Sequence, residues 1–337
     1  MKWTLITHDY PPKRGGVARY LEALVKTCEC IELEYLKKLP NRISLLWFVY
    51  NRMKRSEGII TSHVLPIGTM CWLASKIAKK PYVVILHGMD FDLACRSVWK
   101  RWLLRQILKR AKTIVTNTKA LDLEVSTFTH RMDIEFVYPT VTDGFIESAN
   151  FIQAKHDGSD NIRLLTVARL VERKGHMKVL ELVKGDENLS YTIVGDGMMK
   201  PAILNFIKEH SLEDRVELLS AVPDRKLPDL YSKSDIFVMP TTKSEGDREG
   251  FGIVYIEAQL FGIPVIATSH PGVDEAIRDR ETGYLIDGSQ DELKMAIENL
   301  KNSEVRKRMG AAGSEFIKSS FMREKQFKKF YKILDCE

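Results

Sequence analysis

Short apolar runs recur along the chain, and helix-length stretches of mixed polarity separate most of them. In the first half the runs are WTLIT (3–7), GIITS (58–62), YVVILH (82–87), TIVTN (113–117) and IEFVYP (134–139). In the second half they are IRLLTVA (162–168), YTIVG (191–195), RVELLS (215–220), DIFVMP (235–240), PVIAT (264–268) and GYLI (283–286). Most are continuously apolar rather than alternating, which predicts parallel strands buried on both faces with crossover helices between them. The pattern resets across residues 143–161, whose last part, QAKHDGSDN, is polar and carries glycine as a linker does. The expected fold class is therefore α/β, with two doubly wound parallel-sheet domains at 1–150 and 151–320. Ligands of such sheets bind beyond the carboxyl ends of the strands, so the cleft between the domains is the expected site. A final segment, FMREKQFKKFYKIL (321–334), has an apolar stripe at 321, 327, 330, 331 and 334 and predicts a helix able to cap either domain.

Composition changes this picture little, and charge changes it more. Hydrophobic residues make up 44% and charged residues 28% of the 337 positions, as in an ordinary soluble globular protein with room for two cores. Residues 1–150 carry 23 Lys+Arg against 14 Asp+Glu, and the remainder 28 against 31, so balances of +9 and −3 sum to the net +6. An excess confined to one half suggests an anionic partner for that half. The five cysteines form no CxxC and no Cys/His cluster, which predicts free thiols in a reducing cytoplasm and no structural zinc. The opening MKWTLITHDYPP has too short an apolar core for a signal peptide. The longest apolar run, LLWFVY (45–50), falls far short of a membrane span.

Four loops at predicted strand ends hold the candidate chemistry. HDYPPKRGGVARYL places Gly15 and Gly16 at a helix start, where free N–H groups suit a phosphate or an anionic acceptor; a plain turn is the alternative. No G-x-G-x-x-G and no GxxxxGK[ST] occurs, which argues against nicotinamide and P-loop ATP enzymes. LHGMDFD (86–92) sets His87 at a strand terminus, where an imidazole can donate to a substrate hydroxyl, with Asp90 orienting the loop. VARLVERKGH (167–176) puts Arg169 and Lys174 on either side of one strand-to-helix turn, a site for a diphosphate, against the alternative of solvated charge. EGDREGFGIVYIEAQ (245–259) places Glu249 ahead of a helix and Glu257 inside it, with Gly250 and Gly252 allowing close backbone approach. Val254, Ile256 and Ala258 read as the buried surface of that helix.

Together these loops resemble the family-4 retaining glycosyltransferases, known as glycosyl transferases group 1 and built on the GT-B architecture of two Rossmann-like domains. The family's Glu, seven residues, Glu pattern is matched by Glu249 and Glu257 within EGFGIVYIEA. The likeness runs through PP-x-x-GG, HG-x-D, the R-x-x-x-x-KG of 169–175, VGDG at 194–197, LYSKSDIFVMPT, PGVDEAI and TGYLID, and is closest in character to phosphatidylinositol mannosyltransferase-like members. It implies a donor site of Gly16, Gly195, Glu249, Gly250, Phe251, Gly252, Ile253, Val254 and Glu257. Glu257 would accept from the ribose, Glu249 from the donor sugar, and His87 would hold that sugar in its oxocarbenium-like transition state. Arg169 and Lys174 would neutralise the diphosphate as charge develops on it. It further implies retention without a carboxylate nucleophile, no cofactor and no metal, and a last helix that crosses back to the N-terminal domain. The expected partners are a nucleotide sugar, GDP-mannose first and a UDP-hexose otherwise, and a glycan or lipid-linked acceptor. Ala168 stands where relatives often have Gly, and YPTVTDGF, with Thr140 and Asp143, replaces their PNGVD.

RSVWKRWLLRQILKRAK (96–112) adds a basic amphipathic helix with seven cations and no acid. Arg101, Arg105 and Lys109 would meet anionic lipid, with Gly15 on the acceptor side; RISLLWFVYNRMKR (42–55) repeats the theme. On this reading the protein is cytoplasmic and peripheral on the inner face of the cytoplasmic membrane. The alternative buries the apolar face, Trp102, Leu103, Ile107 and Leu108, on the sheet and leaves the cations in water. Other functions consistent with the fold are a nucleotide-sugar 2-epimerase and a non-catalytic nucleotide-sugar-binding subunit. Nucleic-acid binding is disfavoured, because the aromatic residues form no stacking platform.

Overall fold

The computed structural model describes residues 2–13, 15–152, 161–242 and 250–336. Contacts divide the chain into two compact units. The first is Met1–Thr140 with Met322–Glu337, and Gly250 and Phe251 group with it; the second is Val141–Glu245 with Gly252–Phe321.

The sheet of the first unit contains β1 (Trp3–Thr7), β2 (Ile31–Tyr35), β3 (Ile59–Thr61), β4 (Tyr82–Leu86), β5 (Thr113–Thr116) and β6 (Ile134–Phe136). All pair in parallel, in the order β2-β1-β3-β4-β5-β6. Alternate residues of one strand feed opposite faces. Tyr82, Val84 and Leu86 join a core with the helices Arg42–Arg55, Thr69–Ala78, Val98–Arg110 and Lys119–Thr129. Val83 and Ile85 join a second core with the helices Gly16–Thr27 and Arg323–Leu334. The last helix inserts Phe327, Phe330, Ile333 and Leu334 there, each burial contributing about 1.5–3 kcal/mol gross. Hydrogen bonds help fix it: Trp3 Nε1 donates to the Leu334 carbonyl (2.9 Å), Lys329 Nζ to Phe136 (2.7 Å), Tyr331 Oη to Thr27 (2.8 Å) and Tyr138 N to Gln326 Oε1 (3.2 Å).

The second unit repeats the plan with β7 (Ile162–Val167), β8 (Leu189–Val194), β9 (Val216–Leu219), β10 (Ile236–Met239), β11 (Val265–Thr268) and β12 (Gly283–Ile286). Their order is β12-β11-β10-β7-β8-β9, again parallel throughout. One face is covered by the helices His176–Gly185, Lys200–Glu209 and Gln290–Leu300.

All eleven apolar runs form strands, and β2 is a twelfth that the pattern did not predict. Its sequence, IELEY, alternates, because an edge strand needs only one buried side per residue pair. The stretch expected as a linker begins instead with a helix, Asp143–Phe151, whose Phe145 packs edge-on against Tyr231 and Phe261 of the second unit. The five cysteines are free thiols.

Candidate functional site

In the second unit the loops after β7, β8 and β10 are bound to one another through main-chain contacts. Ala168 N donates to Val194 O, Leu170 N to Asp196 O, and Met199 N to Leu170 O, all within 3.0 Å. Thr242 N, just past β10, donates to Arg173 O at 2.8 Å. Gly195 packs so tightly that a Cβ built on it would lie 1.9 Å from the Ala168 carbonyl oxygen. Gly175 has φ +74°, and a Cβ there would lie 2.2 Å from Pro240 O. Both positions demand glycine for loop packing, whatever else they touch.

This frame carries the two cations. Arg169 follows β7 directly and is exposed, whereas Lys174, at the end of a single 3-10 turn (Glu172–Lys174), is only 7% exposed. Arg173 beside it is also buried. His176 opens the next helix with Nε2 3.3 Å from the Arg169 carbonyl and Nδ1 3.3 Å from Tyr191 Oη. Burial, set against that carbonyl contact, pushes the imidazole down to about 4. Sequence reasoning gave His176 no role, although it adjoins the Lys-Gly pair.

The helix Ile253–Leu260 starts at Gly252, whose φ of +75° turns the chain into it. Its first N–H groups have no intrahelical acceptor, which makes this end a favourable place for an anion. Ile256 and Ala258 are buried as expected, but Val254 is only half-buried and keeps surface near the helix start. Glu257 is 0% exposed and accepts a hydrogen bond from Tyr231 Oη at 2.9 Å. Tyr231 is itself stacked on Phe261, with ring centroids 5.7 Å apart. Glu257 is thus oriented from inside the protein, a partnership invisible in the sequence because 26 residues separate the pair. Glu249 lies outside the described residues. Past β11, His270 Nε2 meets Thr241 Oγ1 at 2.9 Å and ties that loop to the end of β10.

In the first unit His87 follows β4, and its N–H donates to Asp90 Oδ1 at 3.1 Å, so Asp90 does orient the loop. The ring stands edge-on to Tyr20, with centroids 5.5 Å apart, and its buried Nε2 has no hydrogen-bond partner among the described residues. Burial, aided by nearby His63, pushes this imidazole down to about 3, so it is neutral at pH 7 and able to donate from one nitrogen. Burial likewise raises Asp90 to about 6. Gly15 and Gly16 are exposed at the start of the helix Gly16–Thr27. Phe251 packs within this unit, its ring 5.5 Å from that of Tyr138.

The basic helix Val98–Arg110 corrects the expected apolar face. Leu104, Ile107 and Leu108 are buried against the sheet, whereas Trp99 (58%) and Trp102 (59%) are exposed. Arg101 and Lys109 are exposed too, but Arg105 is half-buried, lying 4.9 Å from the Phe128 ring centre and donating to the Phe128 carbonyl.

The sequence profile described as Glycosyl transferases group 1 matches residues 148–316. A GDP-mannose-dependent alpha-(1-6)-phosphatidylinositol monomannoside mannosyltransferase of Mycobacterium tuberculosis is 31% identical, over 93% of this chain and 92% of its own. The enzyme of the same name from Mycolicibacterium smegmatis is 28% identical, over 88% of each chain. Among solved structures, Anabaena Alr3699/HepE in complex with UDP-glucose superposes with a TM-score of 0.79 at 18% identity, covering 100% of both chains. The fold is GT-B.

Proposed function

The chain belongs to the glycosyl transferases group 1 family and transfers a sugar from a nucleotide sugar; from that premise we propose that it is a retaining hexosyltransferase acting on a glycan or lipid-linked acceptor. Mannose from GDP-mannose is the first donor, as the names of the mycobacterial relatives suggest. A UDP-hexose is the alternative, since HepE was solved with UDP-glucose. The observation that carries the reading is the pair Arg169 and Lys174 on one strand-to-helix turn, held by the interlocked loops after β7, β8 and β10.

The chemistry follows from charge. As the glycosidic bond breaks, negative charge grows on the departing diphosphate, and two fixed cations stabilise that change without reorganising. The N–H groups opening the helix Ile253–Leu260 add to the same effect. Glu257, fixed by Tyr231, is assigned to the ribose hydroxyls, and Glu249 to hydroxyls of the hexose. Gly195 and the segment Gly250–Val254 give the donor its close backbone approach. The neutral His87 ring donates to the hexose, and Gly15 and Gly16 serve phosphate or acceptor groups. Retention follows if the departing diphosphate takes the acceptor proton on the face being attacked. These cations stand where a divalent ion would otherwise screen the diphosphate, so donor transfer is expected to be metal-independent.

Nucleotide sugars screened by thermal shift test the reading. A donor at 100 times its Kd stabilises the native state by about 2.7 kcal/mol, so GDP-mannose is expected to raise the melting temperature clearly. Nuclear magnetic resonance of the product then reports the anomeric configuration. Stabilisation by no nucleotide sugar would refute donor binding, and an inverted product would refute retention. Epimerised donor formed without any acceptor would favour the 2-epimerase reading. Binding without turnover would favour a binding subunit.

A further inference from the structure

We infer that His8, Asp9 and His63 form a binding site for one divalent transition-metal ion of the zinc class. The site stands on the first unit, at the carboxyl ends of β1 and β3, with His63 close enough to His87 to act on its imidazole. Topology assembles it. β1 and β3 are parallel neighbours, with Ile6 opposite Thr61, so residues 8 and 9 leave the sheet beside residue 63. One ligand atom from each of the three side chains falls within 4.8 Å of the others.

The donors are already gathered. His63 Nε2 is 3.0 Å from Asp9 Oδ2, and the His8 and His63 rings lie 3.7 Å apart between centroids at an interplanar angle of 31°. His8 Nδ1 is buried and has no hydrogen-bond partner among the described residues. An imidazole nitrogen left without a partner beside a second imidazole and a carboxylate lacks a cation or a proton donor. Two imidazoles and one carboxylate suit zinc, cobalt or nickel, whereas magnesium and calcium prefer sites built of oxygen.

An outer shell supports the set. His63 Nδ1 is 2.9 Å from Ser62 Oγ, which is 3.0 Å from Thr7 Oγ1, and Asp9 N donates to the same Thr7 hydroxyl at 3.0 Å. Such contacts fix the ring orientation of a ligating histidine and strengthen its hold on the ion. Burial, with His63 adding to it, pushes His8 down to about 4, so the ring is a neutral donor at pH 7. The hydrogen bond from His63 and the Lys13 ammonium hold Asp9 well below the usual carboxylate range. Lys13 pairs with Oδ1 and leaves Oδ2 turned toward His63. Three protein ligands leave a fourth position for water or another oxygen ligand.

Cobalt titration of the chelator-treated full chain, followed by visible absorption, tests the inference. One equivalent of Co2+ should bind with d–d bands but no thiolate charge-transfer band, and Zn2+ should displace it. His8→Gln and His63→Gln should each weaken binding at least about tenfold, the loss seen even when only an outer-shell partner is removed. Lys13→Ala guards against a folding artefact, because Lys13 is exposed. Removing its positive charge from beside the ion should tighten binding. Failure to bind one equivalent, a thiolate band placing the ion on cysteine, or equal affinity in His8→Gln and Lys13→Ala would each overturn the site.

Discussion

Glu257, assigned above to the ribose, is also built into the fold. Its carboxylate is sealed from water and accepts the Tyr231 hydroxyl, so removing it leaves a buried O–H without its acceptor as well as a void. Glu257→Ala should therefore lower the stability of the ligand-free protein by about 2–4 kcal/mol, combining both effects. Glu257→Gln keeps an oxygen for Tyr231 and should cost less than about 1.5 kcal/mol, yet weaken every nucleotide sugar. Urea unfolding without ligand measures the first effect and calorimetric titration the second. If Glu257→Gln binds donors like the parent chain, the carboxylate is purely structural and the ribose assignment falls. Glu249→Gln, by contrast, should affect sugars unequally.

At the scale of elements, the helix Val98–Arg110 divides its surface between two uses. Leu104, Ile107 and Leu108 fill the core, while Val98, Trp99 and Trp102 face water beside Lys100 and Arg101. The helix Arg42–Arg55, which packs into the same core, exposes Ile43 and Trp47 (70%). Exposed tryptophans among cations are what an anionic bilayer surface binds. Among the described residues no helix is long and apolar enough to cross a membrane. The chain should sediment with phosphatidylserine vesicles at low salt, and salt should weaken this by screening. Trp99→Ala with Trp102→Ala, or Arg101→Glu with Lys109→Glu, should each reduce the bound fraction severalfold. Arg105 is unsuitable for this test because Phe128 already engages it. Unchanged sedimentation in both variants would rule out this surface. The same helix shows what a sequence leaves open: its periodicity announced an apolar face, but only packing decided which apolar residues faced the sheet. Strands buried on both faces read clearly because each run is apolar throughout. β2 did not, since its alternating glutamates describe an edge. The candidate loops were legible as local glycine and charge patterns. His63 was not, because 54 residues separate it from Asp9 and only strand order brings them together.

Across the whole molecule, three buried or half-buried histidines make stability depend on pH in a calculable direction. His8, His87 and His176 have native-state values of about 4, 3 and 4, all below the ordinary 6.5, chiefly through burial. The unfolded chain therefore takes up their protons near pH 6.5 while the folded chain does not. The stabilisation is complete above that pH and is lost as pH falls toward 4 and 3. Asp90 acts in the opposite sense: raised to about 6, it binds a proton in the folded state that the unfolded chain does not bind until about 3.8. It offsets roughly one histidine of the first unit between those values. In the second unit His176 faces the Arg169 carbonyl, Tyr191 and the charge of Lys174. His176→Gln should therefore flatten the dependence of unfolding free energy on pH between about 6 and 4.5 by up to about 1.4 kcal/mol per pH unit, the value for one proton. Urea unfolding at a series of pH values, followed separately for each unit if two transitions resolve, measures that slope. A slope unchanged by His176→Gln would mean that the ring takes up its proton with the fold intact, against the lowering by burial.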